Sequence, residues 1–338
     1  MGNDHLPPFL QALLQPARYD HPAADIRLVQ THISSVILAG DFVYKFKKPV
    51  NFGFLDFSDL EKRRLCCEQE LLLNRRLCPD IYLGMVTVTS EPDGGYALNG
   101  PGSVVEYGVK MARMPEERMM GHLIRAGELR EEHIDALVTV LADFYRRAEG
   151  GGEITRFGTA EAVAVNVLEN FEQTQSFIGQ GALRQEQFDS IRSYAQKFLG
   201  NEALFQQRID GGYIRDCHGD LYSANICLAD KVYIYDCIEF NQRFRYCDVA
   251  SDVAFLAMDL EYYGLDSLAG RFIEQFVRAT GDHGLMEILN FYKCYRAYVR
   301  GKIGLFTAAD SAVDPVARKA NIENAARYFR LAQRYATA

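Results

Sequence analysis

The apolar periodicity of this chain changes once, near Pro115, and that change limits the folds open to it. From Ile26 to Met114 apolar and polar residues mostly alternate, as strands require, with one interruption. "SVILAGDFVYKFKK" reads as two strands around the turn Ala39-Gly40-Asp41, where glycine supplies the positive φ of a tight hairpin. "SDLEKRRLCCEQELLLNRRL" is the interruption: apolar residues at helical spacing, opened by Ser58 and Glu61 in capping-box register. Strands resume in "IYLGMVTVTS", and the turn "EPDGG" leads to "YALNG" and "SVVEYGVKMARM". Beyond Pro115 the period is helical. "REEHIDALVTVLADFYRRAE" runs to the glycines at 150–152, Thr159 caps "AEAVAVNVLENFEQTQSFI", and a third helical stretch covers 185–207. One short β passage, "ANICLADKVYIYDCIEF", precedes the helices that continue to the C-terminus.

This layout predicts an α+β chain of two lobes. A small, β-rich N-terminal lobe takes residues 1–113, with 1–25 as an extension, and a large, mainly helical C-terminal lobe takes 114–338. No apolar run approaches the roughly 18 residues of a membrane span, and the first 20 residues lack a basic segment followed by an apolar one. A cytoplasmic protein without a membrane partner is expected. Eight cysteines form no CxxC pair, so reduced, mostly buried thiols are expected rather than a zinc site. The net charge of −8 disfavours a nucleic-acid partner. Residues 1–113 carry 12 basic against 13 acidic groups and the remainder 25 against 32, so the acidity lies in the second part and favours a cationic or metal-chelated ligand there.

The polar residues of the β passage form a pattern. If "LADK" is a hairpin turn, Asn225 and Asp236 come to the same end of two adjacent strands, where a carboxylate and an amide oxygen can share Mg²⁺. Asp220, in the preceding "HGDLYSAN", is then free to accept a proton from a hydroxyl nucleophile. Those are the parts of phosphoryl transfer, which also needs a cation to hold phosphates. "FVYKFKK" offers Lys45, with Lys47 and Lys48 as competitors, and the following helix offers Glu70, with Glu68 as the alternative, as its partner. No GxxxxGK[ST] is present, so a Walker-type site is absent.

In order, "VYKFK", "EQELLLNRRL", "HGDLYSANI", "IYDCIEF" and "CDVASDVAFLAMDL" resemble the aminoglycoside phosphotransferase and choline kinase-like group, relatives of the protein kinases. The resemblance runs from about residue 30 to at least residue 260 and implies a bilobal protein kinase-like fold. It also implies that Lys45 binds the α and β phosphates of ATP or GTP, held by Glu70, that Asp220 is the catalytic base, and that Asn225 and Asp236 coordinate Mg²⁺. Asp252 matches the aspartate that braces the catalytic loop, and His218 is expected to shape that loop. Ser34 and Ser35 fall where the family's nucleotide-covering turn lies, without its glycines.

The expected activity is transfer of a γ-phosphate to a hydroxyl of a small metabolite. A non-catalytic nucleotide-binding regulatory module and a Ser/Thr protein kinase are the alternatives. Gly219 stands where protein kinases usually have arginine, and only the short stretch 237–251 separates Asp236 from Asp252, which leaves little room for a peptide-binding segment. Lys293, Arg296 and Arg300 share a helical face in "FYKCYRAYVRGKI" and are candidates for an anionic acceptor, unless neighbouring acids neutralise them. The sequence does not specify an oligomeric state.

Overall fold

The computed structural model of the protein describes residues 6–310 and 313–338, so residues 1–5 of the expected extension lie outside the described residues. The chain divides into two compact units, Met1–Met119 with Tyr233–Asn241, and Met120–Val232 with Gln242–Ala338. The first unit opens with α1 (Pro8–Leu13) and holds β1 (Arg27–Gln30), β2 (Ser34–Ala39), β3 (Phe42–Lys47), α2 (Leu60–Asn74), β4 (Tyr82–Ser90), β5 (Tyr96–Leu98) and β6 (Ser103–Ala112). All six strands pair antiparallel in the order β1-β2-β3-β6-β4-β5. The β2–β3 turn falls on Gly40 and Asp41, as the sequence predicts. Gly40 has φ +58°, and a Cβ there would stand 2.3 Å from the Pro22 carbonyl oxygen, so backbone geometry and space both require glycine. Leu10 and Leu13 of α1 bury against Ile37, Tyr44, Phe46 and Val88, so the amino-terminal segment is part of this unit's core.

Helix α2 is capped by Asp59 rather than Ser58: Asp59 Oδ1 accepts the Lys62 amide at 2.8 Å, while the Ser58 amide is turned to Asp56. Two arginines fix the helix to the sheet. Buried Arg63 donates from Nε to both oxygens of Glu106 on β6, at 2.8 and 3.0 Å, and from Nη1 to the Phe57 carbonyl at 2.9 Å. At the other end, Arg75 donates to the carbonyls of Tyr82 and Leu83 at 2.8 and 2.7 Å. Held at both ends, α2 keeps the face carrying Glu70 against the sheet.

The second unit contains α3 (Met120–Ala126), α4 (Glu131–Arg147), the single-turn α5 (Gly152–Thr155), α6 (Ala160–Thr174), α7 (Gln185–Leu199) and α8 (Glu202–Asp210). Thr159 caps α6 as expected, its Oγ1 accepting the Ala162 amide at 3.2 Å. The third helical stretch of the sequence is two helices, broken around Gly200-Asn201. Then come β7 (Ile214–Asp216) and β8 (Ile226–Leu228), and the chain leaves this unit within β9 (Val232–Ile234). After returning it forms α9 (Gln242–Arg245), β10 (Tyr246–Asp248), α10 (Val249–Tyr262), α11 (Asp266–Thr280), α12 (Leu285–Ala309) and α13 (Pro315–Thr337).

Strand β10 pairs antiparallel with β7, Cys247 opposite Arg215, and leads directly into α10. Buried Arg208 of α8 donates to both carboxylate oxygens of Asp248, each at 2.8 Å, and to Asp282, tying α8 to the starts of α10 and α12. Residues 249–260 of α10 are all buried, so Asp252 and Asp259 within it must find partners inside the unit. Helices α12 and α13 approach closely enough that a Cβ on Gly301 would lie 2.8 Å from the Phe329 ring. Among the described residues no helix is long and apolar enough to cross a membrane.

Candidate functional site

In the first unit a chain of buried charges runs from the sheet to α2 and the 233–241 segment. Lys45 and Lys47 are two apart on β3 and so point to the same face. Glu70, with no exposed surface, receives both: its Oε1 lies 2.8 Å from Lys45 Nζ and its Oε2 2.6 Å from Lys47 Nζ. Lys45 continues to Asp236 Oδ1 at 2.5 Å, and Lys47 pairs with Glu239. Glu68, the alternative partner, instead pairs with Arg64 on the surface of α2. Two ammoniums thus meet three carboxylates along this chain. Exposure rises from 0% at the Glu70 side chain to 43% at Asp236, so the chain opens to solvent at Asp236.

Burial alone would pull the lysine pKa values down, but the facing carboxylates outweigh it. Lys45, beside Asp236 and Glu70, stands well above the ordinary lysine value, and Lys47, beside Glu239 and Glu70, is raised as well. Burial pushes Glu70 up, and the two lysines more than reverse it, holding its carboxyl below the ordinary value. The 233–241 segment is fastened around this chain. Cys78 Sγ donates to the Ile234 carbonyl at 2.9 Å, the Cys237 amide to Asn74 Oδ1 at 2.9 Å, and the Asp236 amide to the Tyr82 hydroxyl oxygen at 3.2 Å. Asp236 itself has φ +63°, a left-handed conformation uncommon for a residue with a side chain and held here by those anchors.

In the second unit the 217–225 loop is built around Asp252. Its Oδ2 accepts the His218 amide at 2.7 Å and the Tyr145 hydroxyl at 3.1 Å, and its Oδ1 accepts the Gly219 amide at 3.0 Å. Gly219 has φ +86°, a conformation that favours glycine and accounts for its presence there. His218 is fully buried, and its Nδ1 accepts the Asp220 amide at 3.3 Å, so it braces the backbone beneath that aspartate. Asn225 Nδ2 donates to the Asp220 backbone oxygen and to Asp220 Oδ2, each at 3.0 Å, which leaves the amide oxygen as the acceptor end of that side chain. A second buried acid, Asp259, accepts the Ser223 amide at 2.9 Å, and its own pKa is raised by burial. The Ala229 amide bonds to the Lys231 carbonyl at 3.1 Å between β8 and β9, closing the expected turn.

Two further groups of candidate residues take the following places. Ser34 and Ser35 are buried strand residues, opposite Lys47 and Phe46 in the β2–β3 register. The turn is 31–33, where Thr31 Oγ1 accepts the Ser34 amide at 3.0 Å, so neither serine covers a ligand from a loop. Lys293, Arg296 and Arg300 do share a face of α12, but spacings of three and four also define a helix's buried stripe. Lys293 is buried and paired with Glu261. Arg296 donates to the Gly219 carbonyl at 2.9 Å and to Ser251 Oγ at 3.2 Å, with Asp252 3.6 Å away, and so supports the loop from behind. Arg300 lines a cavity.

Sequence reasoning passed over Glu239, Asp259 and Arg327. A signal for Glu239 exists, since an acid in the apolar "CIEF" requires a buried counter-charge; Arg327, on a mixed helix, offers none. The described residues contain no group of three or more His, Cys, Asp or Glu side chains able to hold a metal ion by themselves.

The fold so assembled is shared with solved small-molecule kinases. An amicoumacin kinase solved in complex with AMP-PNP, Ca²⁺ and Ami superposes with a TM-score of 0.54 at 13% identity, covering 96% of this chain and 92% of that one. An ethanolamine kinase of Plasmodium vivax gives a TM-score of 0.50 at 12% identity, over 91% of this chain and 81% of that one. No protein-family model matches the chain. In sequence it is similar to the uncharacterised proteins Rv2004c of Mycobacterium tuberculosis (strain ATCC 25618 / H37Rv) and Mb2027c of Mycobacterium bovis, each 36% identical over 286 residues, 84% of this chain. The match takes in 55% of those relatives, so the chain spans about half their length.

Proposed function

We propose that the protein is a Mg²⁺-dependent kinase that transfers the γ-phosphate of ATP or GTP to a hydroxyl of a small molecule. The observation that carries this reading is the buried Lys45–Glu70 pair continued to Asp236 at the solvent-open end of the charge chain. A lysine fixed by a fully buried carboxylate remains charged and cannot swing away, which is what a cation holding the α and β phosphates needs. The Asp236 carboxylate, at the solvent-open end, offers a divalent cation a hard oxygen ligand. Asp236 and the Asn225 amide oxygen would hold Mg²⁺, which would neutralise phosphate charge.

Asp220 has the role of base. The acceptor oxygen forms a bond to the γ-phosphorus as the bond from that phosphorus to the β–γ bridging oxygen breaks; the hydroxyl proton passes to Asp220, and the nucleoside diphosphate leaves with the bridging-oxygen electron pair. His218, Asp252 and Arg296 keep the backbone of that loop fixed, so that the carboxylate does not have to be positioned anew in each turnover. The short 237–251 stretch favours a small acceptor over a protein.

The test is a phosphorylation screen of a metabolite pool read by mass spectrometry, with Asp220→Asn as control. The expected result is a phosphorylated product whose formation falls by about 10²–10⁴-fold in the variant, with Mg-nucleotide binding by calorimetry unchanged. Binding without transfer to any acceptor would support the non-catalytic module instead.

A further inference from the structure

Beside α12, entirely within the second unit, lies a cavity of about 350 Å³, of the size that takes a small metabolite. Its wall includes Arg300, Arg327, Asn321, Asn324, Tyr262 and Tyr328, and no carboxylate among the described residues lines it. Arg300 connects this cavity to the 217–225 loop. Its guanidinium carbon lies 4.6 Å from the centre of the Tyr222 ring, two residues beyond Asp220, and 5.8 Å from that of Tyr328. Its Nε is buried with no hydrogen-bond partner. Tyr222, Tyr328 and Asp220 act on Arg300, with a Tyr328 side-chain hydrogen bond among them, and Asp259, which Arg300 also reaches, is already engaged by the Ser223 amide. Arg327, exposed on α13, stacks 4.2 Å over Tyr262 and donates to the Tyr262 carbonyl at 3.1 Å.

The chemistry of this wall separates cationic from anionic ligands. A cation would need ring faces or carboxylates. Arg327 lies over Tyr262, whose ring also stacks on Tyr328 with centroids 3.9 Å apart, and the carboxylates are missing from the lining. Besides the Tyr263 ring and Thr307, the lining holds two guanidiniums and two amide side chains already bonded in part to Ala317 and Tyr262, and the guanidiniums are planar donors that match phosphate or carboxylate oxygens.

We propose that this cavity is the subsite for the anionic group of the acceptor, so that the substrate is a hydroxylated organic anion whose phosphate or carboxylate is held by Arg300 and Arg327. The inference rests on the kinase reading for the fate of the hydroxyl, but not for the binding of the anion. It places the acceptor's negative charge on α12 and α13, with Arg300 packed on the loop that carries Asp220.

Calorimetry on the full chain, with glycerol 3-phosphate, glycerate, inorganic phosphate and neutral glycerol as probes, tests it. At least one of the three anions is expected to bind saturably and glycerol not to bind. A response to the phosphates alone identifies a phosphate site, and a response to glycerate alone a carboxylate site. Arg327→Ala and Arg300→Gln are each expected to weaken anion binding at least about tenfold, the contribution of one charge-assisted hydrogen bond. Arg327→Lys should recover part of the loss, and melting of the exposed Arg327 variants should stay unchanged. Absence of saturable anion binding, equal binding in both arginine variants, or glycerol binding as tightly as the anions would overturn the inference. Anion binding through these arginines without γ-phosphate transfer to any acceptor would remove the kinase reading alone. Transfer to a neutral or cationic acceptor, indifferent to Arg327→Ala, would remove this inference alone.

Discussion

Glu70 is the residue whose replacement reports most directly on the buried charge chain. Glu70→Gln keeps shape and one acceptor oxygen but removes the carboxylate shared by Lys45 and Lys47. Removing one member of a buried ion pair costs about 3–5 kcal/mol when the other is left alone. Here each lysine keeps a second carboxylate, Asp236 or Glu239, so the low end, about 3 kcal/mol, is expected. In a unit of this size that lowers the melting temperature by roughly 10 °C. Glu68→Gln, which breaks only the surface pair with Arg64, should cost no more than about 1 kcal/mol.

The chain has no tryptophan, so far-ultraviolet circular dichroism is the suitable probe of melting. The difference between wild type and Glu70→Gln also depends on pH. Because the folded-state pKa of Glu70 lies below its unfolded value of about 4.3, the stabilisation is fully present above that pH and is lost as pH falls through the lower, folded value. Equal shifts for the two glutamate variants, or a wild-type advantage that persists undiminished in strong acid, would refute the reasoning.

Asp252→Asn should speed hydrogen exchange at the His218 and Gly219 amides at least about tenfold, since both lose a charged acceptor; unchanged exchange in a peptide spanning 213–221 would contradict that role. Gly301→Ala should destabilise the second unit by about 1–3 kcal/mol, because the new methyl meets the Phe329 ring at 2.8 Å, and Phe329→Leu in the same chain should relieve part of the loss in a thermal melt. Burial brings the Lys302 amine down to about 8, so at mildly alkaline pH it is neutral more often than other lysines. Brief acetylation at pH 8, mapped by mass spectrometry, should therefore modify Lys302 ahead of the exposed Lys319.

Local chemistry makes much of this fold readable. Gly40 must turn the chain because little else fits, and Thr159 must cap a helix because the residues after it carry apolar side chains at helical spacing. The pairing of Lys45 with Glu70 is readable for a related reason: a charge in an apolar strand requires a partner. Lys45 and Lys47 are not true alternatives, since strand alternation sends both to one face, where they share Glu70. Asp236 and Glu239, far along the chain, make that sharing tolerable; the acid in "CIEF" signals that it needs a counter-charge but not which lysine supplies it.

Burial is the other obstacle. The face of Lys293, Arg296 and Arg300 follows from helical spacing, yet whether such a face meets solvent or another helix depends on α10 and α13. The same limit hides α1, whose two leucines in a six-residue helix look dispensable until the core that receives them is known. The turn expected at Ser34 and Ser35 lies a residue or two earlier, and a shift that small moves a side chain from a turn into a strand.

The route of the chain through the 233–241 segment has a consequence for biosynthesis. Although the first unit begins at the amino terminus, it cannot be complete on a ribosome until Asn241 has emerged, after most of the second unit's helices up to α8. Until then Lys45 and Lys47 have one carboxylate between them, and the nascent sheet carries an uncompensated positive charge. A gene fragment ending at Met119 would freeze the protein in that state, so excising this unit as a stand-alone domain calls for a circular rearrangement or an added peptide carrying Asp236 and Glu239.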